Sequence, residues 1–470
     1  MREADGTLRS PAVRTDSILL PPRVLWAAVA AGTLLSLVVS ARIAAGVFVL
    51  GSTSGGWVHG YLYPFQFKAL ATFAIVFACC AAAALVPLAE IRRREWLVVC
   101  LWLALGLCAQ GVLRGLSPYT MEGLFLGDGS NGFFEPTLKH GSVELLRDFD
   151  RLRFTLPEHP RTNMPGKLML VYALELISTR PAVLAWLVVV VSNLGGVLLY
   201  LFVREWLDDR ETALISLILY LFVPSKLLFF PGLNTVTPVL VLLCAWCWVR
   251  LLRSRRLVYA AGLGASAYLV MFYEPTPAVM GLLFLVLTAY AVWRGEIGWR
   301  TVASLTGAIV LAFLATYVLV YAAFGFDLLT TLRAVAADAV EFNARVKRPY
   351  SPWVVQNLLD LGYGAGWCQA VLFGVCVGYA FSRRRLAAGG TEGHLAALCL
   401  GTAAALVATD LAGINRGEVV RLWIFLACLL QVPAAYVCRR LDSAMALLLV
   451  LGTTILQTSL SAAMLAFLQP

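Results

Sequence analysis

Charged residues are scarce in this sequence. Asp, Glu, Lys and Arg together make up 14% of its 470 residues, whereas hydrophobic residues make up 60%. The mean hydropathy of +0.81 lies outside the range of soluble globular domains. The composition therefore excludes a soluble enzyme or binding module and predicts an integral membrane protein.

The sequence also lacks the patterns of a nucleic-acid-binding protein. Its formal net charge is +10, but no basic face or stacking-aromatic motif accompanies that charge. The arginines instead stand between apolar runs, where membrane topology explains them. No nucleic-acid partner is therefore expected.

Cysteines are absent from most of the polar sequence. The eleven cysteines fall in or beside apolar segments, which argues against a disulfide framework. Cys244 and Cys247 have CxxC spacing, but no second pair or nearby histidine supplies the other ligands that a structural metal site needs. No metal ligands are assigned, and the need for a divalent cation is left open.

Apolar segments long enough to cross the bilayer recur along the chain, and no cleavable signal precedes the first. They predict an all-α polytopic protein with about thirteen transmembrane helices. The segments cover residues 24–46, 67–89, 96–114, 181–203, 211–231, 235–252, 257–273, 277–293, 301–323, 364–382, 394–411, 421–438 and 443–466.

Arginine clusters predict the orientation, because positive charge favours the cytoplasmic side. With thirteen spans, every cluster from Arg92–Arg94 to Arg439–Arg440 falls on the side of the N-terminus. Residues 1–23 are thus expected to be a cytoplasmic tail in a bacterial inner membrane, and the C-terminus is expected outside. An apolar stretch at residues 167–179 is too short to span, so it predicts an interfacial or re-entrant helix on the outer face.

This topology divides the chain into the tail, three helices at 24–115, an outer loop with the interfacial helix at 116–180, and a bundle at 181–470. The polar loops at 116–166, 324–363 and 410–420 all fall outside. Since lipid cannot satisfy their polar groups, the first two are expected to pack together over the outer face. Binding or catalysis is expected there.

The first long outer loop holds the densest set of candidate site residues: Glu122, Asp128, Asn131, Phe133, Phe134 and His159. Asp128 lies between two glycines, which allow a tight turn and close approach of a substrate. GDGS is also a common turn sequence, so a turn-forming role for Asp128 stays open.

Three segments of the chain carry a resemblance. They are the acid, the aromatic pair and HPRTNMPGK (His159 to Lys167) of the first loop, KRPYSPWVVQNLLDLGYGAG from Lys347, and INRGEVVRLW from Ile414. Together they resemble the GT-C superfamily of membrane glycosyltransferases, especially actinobacterial mannosyltransferase-like members. The resemblance covers residues 116–425. It implies a polyprenyl-phosphate sugar donor, a glycan, lipid or protein acceptor, and contact with membrane lipids. Unlike the superfamily pattern, the acid here is single and follows three spans.

A glycosyl transfer needs a carboxylate that takes the proton of the acceptor hydroxyl. Asp128 is the first choice for this base, with Glu122 and Glu274 as competitors. The phosphate needs cations, for which Arg416, Arg421, His159, Lys347 and Arg348 are candidates. Asn131, Phe133, Phe134, Tyr350 and Glu418 are candidate substrate contacts, while Glu418 could instead clamp one of the arginines.

Two other functions share some of these features. A secondary transporter usually shows repeated halves and ionisable groups near the midplane, and this sequence shows no clear repeat. An enzyme of the O-antigen polymerase or ligase type would share the spans and outer loops, but would rely on outer Arg and His residues without an essential Asp.

Overall fold

The computed structural model of the chain describes residues 20–84, 88–381, 386 and 389–470. Most of the predicted tail and the arginine cluster at 383–385 lie outside these residues. Within them, the chain is helical apart from one two-stranded antiparallel sheet. The prediction of an all-α polytopic membrane protein is confirmed at this level.

The helices are α1 (Pro22–Ala44), α2 (Phe67–Ala84), α3 (Leu88–Arg114), α4 (Met121–Leu126), α5 (Phe134–Lys139), α6 (Ser142–Arg147), α7 (Phe149–Leu152), α8 (Glu158–Thr162), α9 (Gly166–Glu175), α10 (Pro181–Leu207), α11 (Arg210–Leu221) and α12 (Pro224–Leu228). They continue with α13 (Thr237–Ser254), α14 (Leu257–Tyr273), α15 (Gly281–Trp293), α16 (Trp299–Phe324), α17 (Leu328–Arg345), α18 (Tyr350–Ala365), α19 (Trp367–Ala380), α20 (Gly390–Ala412), α21 (Val419–Leu422), α22 (Ile424–Leu429), α23 (Gln431–Arg440) and α24 (Ala444–Met464). Short 3-10 helices cover Arg153–Thr155, Leu233–Val236 and Thr276–Met280.

Ten helical segments of the described chain are long and apolar enough to cross a membrane, or eleven if the bent pair α18 and α19 counts as one span. The count of thirteen is not confirmed. Three predicted segments differ: α14 has only 17 residues, α19 meets α18 at an angle of 114°, and the segment at 421–438 is divided into α21, α22 and α23. Hydropathy records apolar residues but not where the helix axis breaks.

One end of the bundle gathers many of the arginines that the sequence placed in the cytoplasm. Arg204 and Arg210 both pair with Glu95, and Arg250 pairs with Glu205. Leu20, near the described N-terminus, lies at the same end, beside Arg440. These charges satisfy one another at helix ends, where lipid does not have to solvate them.

The opposite end, called here the loop face, consists of residues 45–66, 115–180, 325–363, 410–420 and 465–470. The first two long loops meet there as expected. Arg153 pairs with Asp338 at 2.5 Å, Arg345 pairs with Glu158 at 2.9 Å, and Thr331 donates to Asp150. Helix α9 also lies at this end and has 10 residues, so at 1.5 Å per residue it is about 15 Å long, too short to span.

A β-hairpin and the C-terminal tail complete the loop face. Strands β1 (Leu50–Ser52) and β2 (Trp57–His59) pair in antiparallel register, with Leu50 opposite His59. Gly56 lies in the connecting turn with φ of +81°, a backbone conformation that glycine adopts without strain. Beyond α24, the chain folds back along this hairpin, and Ala466 donates its N–H to the Gly60 carbonyl at 2.8 Å.

Candidate functional site

The candidate site begins with a tight turn before α21. Gly417 has φ of +81° and Glu418 has φ of +58°, which is unusual for a residue with a side chain. Asn357 of α18 holds this turn, because it donates to the Asn415 carbonyl at 3.0 Å and accepts from the Gly417 N–H. The turn sets the start of α21 and with it the position of Arg421.

Glu418 joins two arginines from different loops. Its carboxylate lies 3.1 Å from Arg348 and 2.5 Å from Arg421. Burial alone would raise the pKa of Glu418, but Arg421 and Arg348 outweigh it and lower that pKa. Glu418 is therefore a carboxylate that holds both guanidinium groups, whereas the sequence treated it as a substrate contact or as the partner of one arginine.

Arg421 has hydrogen-bonding capacity that the protein does not use. Its side chain is 16% exposed, and its Nε is buried without a hydrogen-bond partner among the described residues. Since a buried N–H without an acceptor is costly, this nitrogen is expected to meet an acceptor on a ligand. Among the cations of the site, Arg421 thus has the clearest unused hydrogen-bond donor.

Arg348 and Arg416 are tied to each other. Arg348 donates to the Arg416 carbonyl at 2.9 Å, and Arg416 donates to the Arg348 carbonyl at 3.0 Å. The Arg348 guanidinium also lies over the Trp57 ring, and that of Arg416 over the exposed ring of Tyr350. These contacts fix the two loops against each other. Lys347, with a positive φ, is exposed.

His159 links the first long loop to this cluster. Its Nε2 lies 3.2 Å from the Gly129 carbonyl, so Nε2 carries the proton and donates it. Burial, together with a smaller effect of Arg421, lowers the pKa of His159 to about 4. The electrostatic influence of Arg421 shows that the HPRTNMPGK segment and the turn at 417–418 lie close together. His159 is therefore neutral near pH 7.

Lys167 and Glu274 form a buried ion pair beside that segment, with Nζ 3.3 Å from Oε2. Glu274 also accepts hydrogen bonds from Thr237 at 2.6 Å and Asn234 at 3.1 Å. Glu274, a candidate base in the sequence, is thus occupied by three partners. Burial lowers the pKa of Lys167, and Glu274 opposes that shift.

Gly166 explains why a glycine precedes Lys167. A Cβ at this position would lie 2.5 Å from the Phe272 carbonyl oxygen and 2.7 Å from the Tyr273 Cα. Only a residue without a side chain lets the start of α9 approach the end of α14 so closely. This contact carries Lys167 to Glu274.

Asp128 is exposed on a turn that the His159 hydrogen bond holds from one side. On the other side, the turn packs against the C-terminus, since a Cβ at Gly127 would lie 2.5 Å from the Pro470 backbone. In the described part of the chain the Asp128 carboxylate has no ion pair or hydrogen bond. Glu122, exposed in the first turn of α4, likewise has no ion pair or hydrogen bond among the described residues, so only Glu274 of the three candidate bases is occupied.

The aromatic pair is buried, whereas rings that stack on a sugar would have to be exposed. Phe133 and Phe134 are 5% and 7% exposed, and Phe134 packs on Phe125 in a hydrophobic cluster. Asn131, also a predicted substrate contact, is buried, and its side-chain nitrogen has no partner among the described residues.

His59 is a site neighbour that the sequence did not single out. Its Nδ1 lies 3.0 Å from the Ala466 carbonyl, which can only accept, so Nδ1 carries the proton. The Nε2 is buried without a partner in the described chain. Burial lowers the pKa of His59 to about 4, and Glu418 and Arg421 act on it electrostatically. No sequence pattern marks it, because its neighbours come from the hairpin and the tail.

The site as a whole is positive. Four cations, Lys167, Arg348, Arg416 and Arg421, stand against two carboxylates, Glu274 and Glu418, which leaves a net charge of +2 with neutral histidines, and the exposed Lys347 and Asp128 offset each other. In the residues described, no group of three or more His, Cys, Asp or Glu side chains is placed to hold a metal ion. All eleven cysteines are free thiols.

Neither a search of protein-family models nor a search of curated proteins gave a significant match to this chain.

Proposed function

We propose that the protein is a membrane glycosyltransferase of the GT-C type, which transfers a sugar from a polyprenyl-phosphate donor to an acceptor hydroxyl. The observation that supports it most directly is that the buried Nε of Arg421 has no hydrogen-bond partner among the described residues. Arg421 lies in a cluster with a net charge of +2, which favours an anionic ligand. A phosphate offers oxygens that match the guanidinium fork.

The place of this cluster supports a lipid-linked phosphate. The cations gather at one end of a bundle with at least ten long apolar helical segments. Many large apolar side chains of this bundle are exposed on its surface. A donor with a hydrocarbon chain would leave its chain in the bilayer and present its phosphate at the loop face. The proposal places this face outside a bacterial inner membrane, with the N-terminus in the cytoplasm.

The proposed chemistry uses Asp128 as the base. The acceptor oxygen forms a bond to the anomeric carbon as its proton passes to the Asp128 carboxylate, and the bond from that carbon to the phosphate oxygen breaks. The phosphate leaves with the electron pair and gains negative charge, which Arg421 and its cationic neighbours stabilise. Asp128 is preferred over Glu274 because Glu274 already serves Lys167, Thr237 and Asn234.

The test of the donor site is binding of a polyprenyl monophosphate to the purified chain in detergent. Arg421→Gln should weaken binding by about 1 to 3 kcal/mol, the range of a charge-assisted hydrogen bond. Arg345→Gln is the matched control, since Arg345 is half exposed and pairs with Glu158 on the same face. Equal affinity of Arg421→Gln and the wild-type protein would contradict the proposed donor site.

A secondary transporter is the second candidate, and one observation favours it. Lys226 is fully buried in the span Arg210–Leu228, donates to Asn193 at 2.8 Å, and has no carboxylate partner among the described residues. Buried ionisable groups of this kind mark ion or substrate paths. Substrate flux into proteoliposomes that is lost in Lys226→Met would support transport, whereas sugar transfer by the purified protein, unchanged in Lys226→Met, would support the transferase.

A further inference from the structure

A pocket opens between the end of α3, helix α12, helix α24 and the C-terminal tail. Eight of its eleven lining residues are apolar. The polar side chains in it are those of Arg114, Ser117 and Thr458.

Among the described residues, Arg114 is the only charged one in the wall of this pocket. It lies in the last turn of α3, and its Nε donates to the Phe230 carbonyl at 3.0 Å. Within the described ranges, no carboxylate lies at salt-bridge distance from Arg114, and its two terminal nitrogens make no hydrogen bond. A cation near a helix C-terminus is favourable by itself, but that interaction does not explain why Arg114 lines this pocket.

Arg114 is partly buried, and a partly buried guanidinium without a carboxylate partner favours an anion. The other residues that line the pocket indicate what kind of molecule carries that anion. Leu113 and Leu227 belong to membrane-crossing segments, as does Ala462 of α24. A ligand with a hydrocarbon chain covers these groups, whereas free phosphate leaves them exposed.

We propose that this pocket binds the phosphate of a lipid, with Arg114 on the phosphate and the hydrocarbon chain along Leu113, Leu227 and Ala462. Two sources share this chemistry, a polyprenyl phosphate and a membrane phospholipid. The pocket is separate from the Arg421 cluster, because Arg114 and Arg421 do not share a partner. The inference holds whether or not the chain transfers a sugar.

The pocket nevertheless adjoins the candidate site. Phe467 forms part of its wall, and the Phe467 ring lies 4.8 Å from the His59 ring. His59 in turn is within electrostatic range of Glu418 and Arg421. A lipid in the pocket would therefore contact the C-terminal tail, which packs against His59 and the Asp128 turn.

The experiment is lipid binding to the full chain in detergent, followed by native mass spectrometry, in three arms: polyprenyl monophosphate, phosphatidylglycerol and inorganic phosphate. Arg114→Gln should raise the Kd of one lipid about tenfold or more, as expected for loss of a charge-assisted hydrogen bond. Whichever lipid shows the loss is the source. Inorganic phosphate should not compete at equal concentration.

Arg42→Gln is the matched control. Arg42 also lies in the last turn of a helix and donates to a carbonyl, that of Val47, but it is exposed and outside the pocket. Ala462→Phe, which fills the pocket and keeps Arg114, should reduce binding of the same lipid, and an unchanged unfolding temperature shows that each variant is folded.

The inference is overturned if Arg114→Gln binds both lipids as tightly as Arg42→Gln does, or if inorganic phosphate competes as well as the lipid. Arg421→Gln measured in parallel separates the two proposals. A loss of binding only in Arg421→Gln would reject the Arg114 pocket and leave the proposed donor site intact, and a loss only in Arg114→Gln would do the reverse.

Discussion

Lys167 Nζ lies 3.3 Å from Glu274 Oε2, and both side chains are more than 90% buried. The lysine begins the short helix α9, and the glutamate follows α14, so this ion pair fastens the first long loop to the bundle. It is the point where the HPRTNMPGK segment gains a fixed position. Asn163 adds a second acceptor for Lys167, at 2.8 Å.

Glu274→Gln should destabilise the protein by about 3 to 5 kcal/mol, because it leaves the Lys167 charge buried without its counter-ion. Lys167→Met combined with Glu274→Gln should cost less than the sum of the two single changes, since the second change removes the unpaired charge. Thermal unfolding in detergent measures both. Glu135→Gln is the control, because its pair with Lys139 is exposed and such pairs contribute about 0 to 1 kcal/mol.

Additive losses in the double variant would show that Lys167 and Glu274 do not depend on each other, against the structure.

Gly166→Ala should lower the unfolding temperature markedly, because the new methyl group would overlap the backbone at Phe272 and Tyr273. Overpacking of this kind costs about 1 to 3 kcal/mol. Gly141→Ala is a sharp control, since a Cβ there meets nothing within 4 Å and its φ is −75°. If both variants unfold at the same temperature, the close approach of α9 and α14 is wrong.

Acid should destabilise the loop face in two steps. The pKa values of His59 and His159 are lowered from 6.5 to about 4, so the unfolded chain takes up these protons before the folded protein does. Their stabilising contribution is complete above pH 6.5 and is lost as pH falls from 6.5 towards 4. The contribution of Glu418, whose pKa is lowered, is complete above pH 4.5 and is lost below it.

Unfolding temperatures measured between pH 7.5 and 4 test this pH dependence. The wild-type protein should lose stability across the histidine window, and His59→Gln should show a shallower fall, because Gln does not titrate. A variant curve parallel to that of the wild-type protein across this window would show that His59 is not held neutral by burial.

The sequence predicted the class of the fold and much of the loop face, because hydropathy and charge are local properties. Apolar runs located the helical segments, and the polar loops at 116–166 and 324–363 meet as expected. The sequence did not predict where the helices break. Leu430 between α22 and α23, and Gly366 at the bend between α18 and α19, stand in mainly apolar runs whose hydropathy shows no break.

Long-range partners were also beyond the sequence. Arg348 and Glu418 are far apart in the chain, and only the packing of α17 and α18 against the turn at 417–418 brings them together. Phe133 and Phe134 look like a sugar platform next to a polar turn, yet burial of apolar area places both rings in the core. His59 had no pattern, since its contacts with Ala466 and Phe467 depend on the tail folding back.

Sugar transfer by Asp128→Asn tests the central claim most directly. The change keeps the size of the side chain and removes its ability to take a proton, so turnover should fall about a hundredfold or more, in line with general-base contributions. The unfolding temperature and the affinity for polyprenyl monophosphate should stay at the wild-type values, because the carboxylate is exposed and has no partner in the described chain. Glu122→Gln, an exposed carboxylate in the same loop, should retain normal turnover. Near-normal transfer by Asp128→Asn would contradict the assignment of Asp128 as the base, and a large loss in Glu122→Gln at an unchanged unfolding temperature would move that role to Glu122.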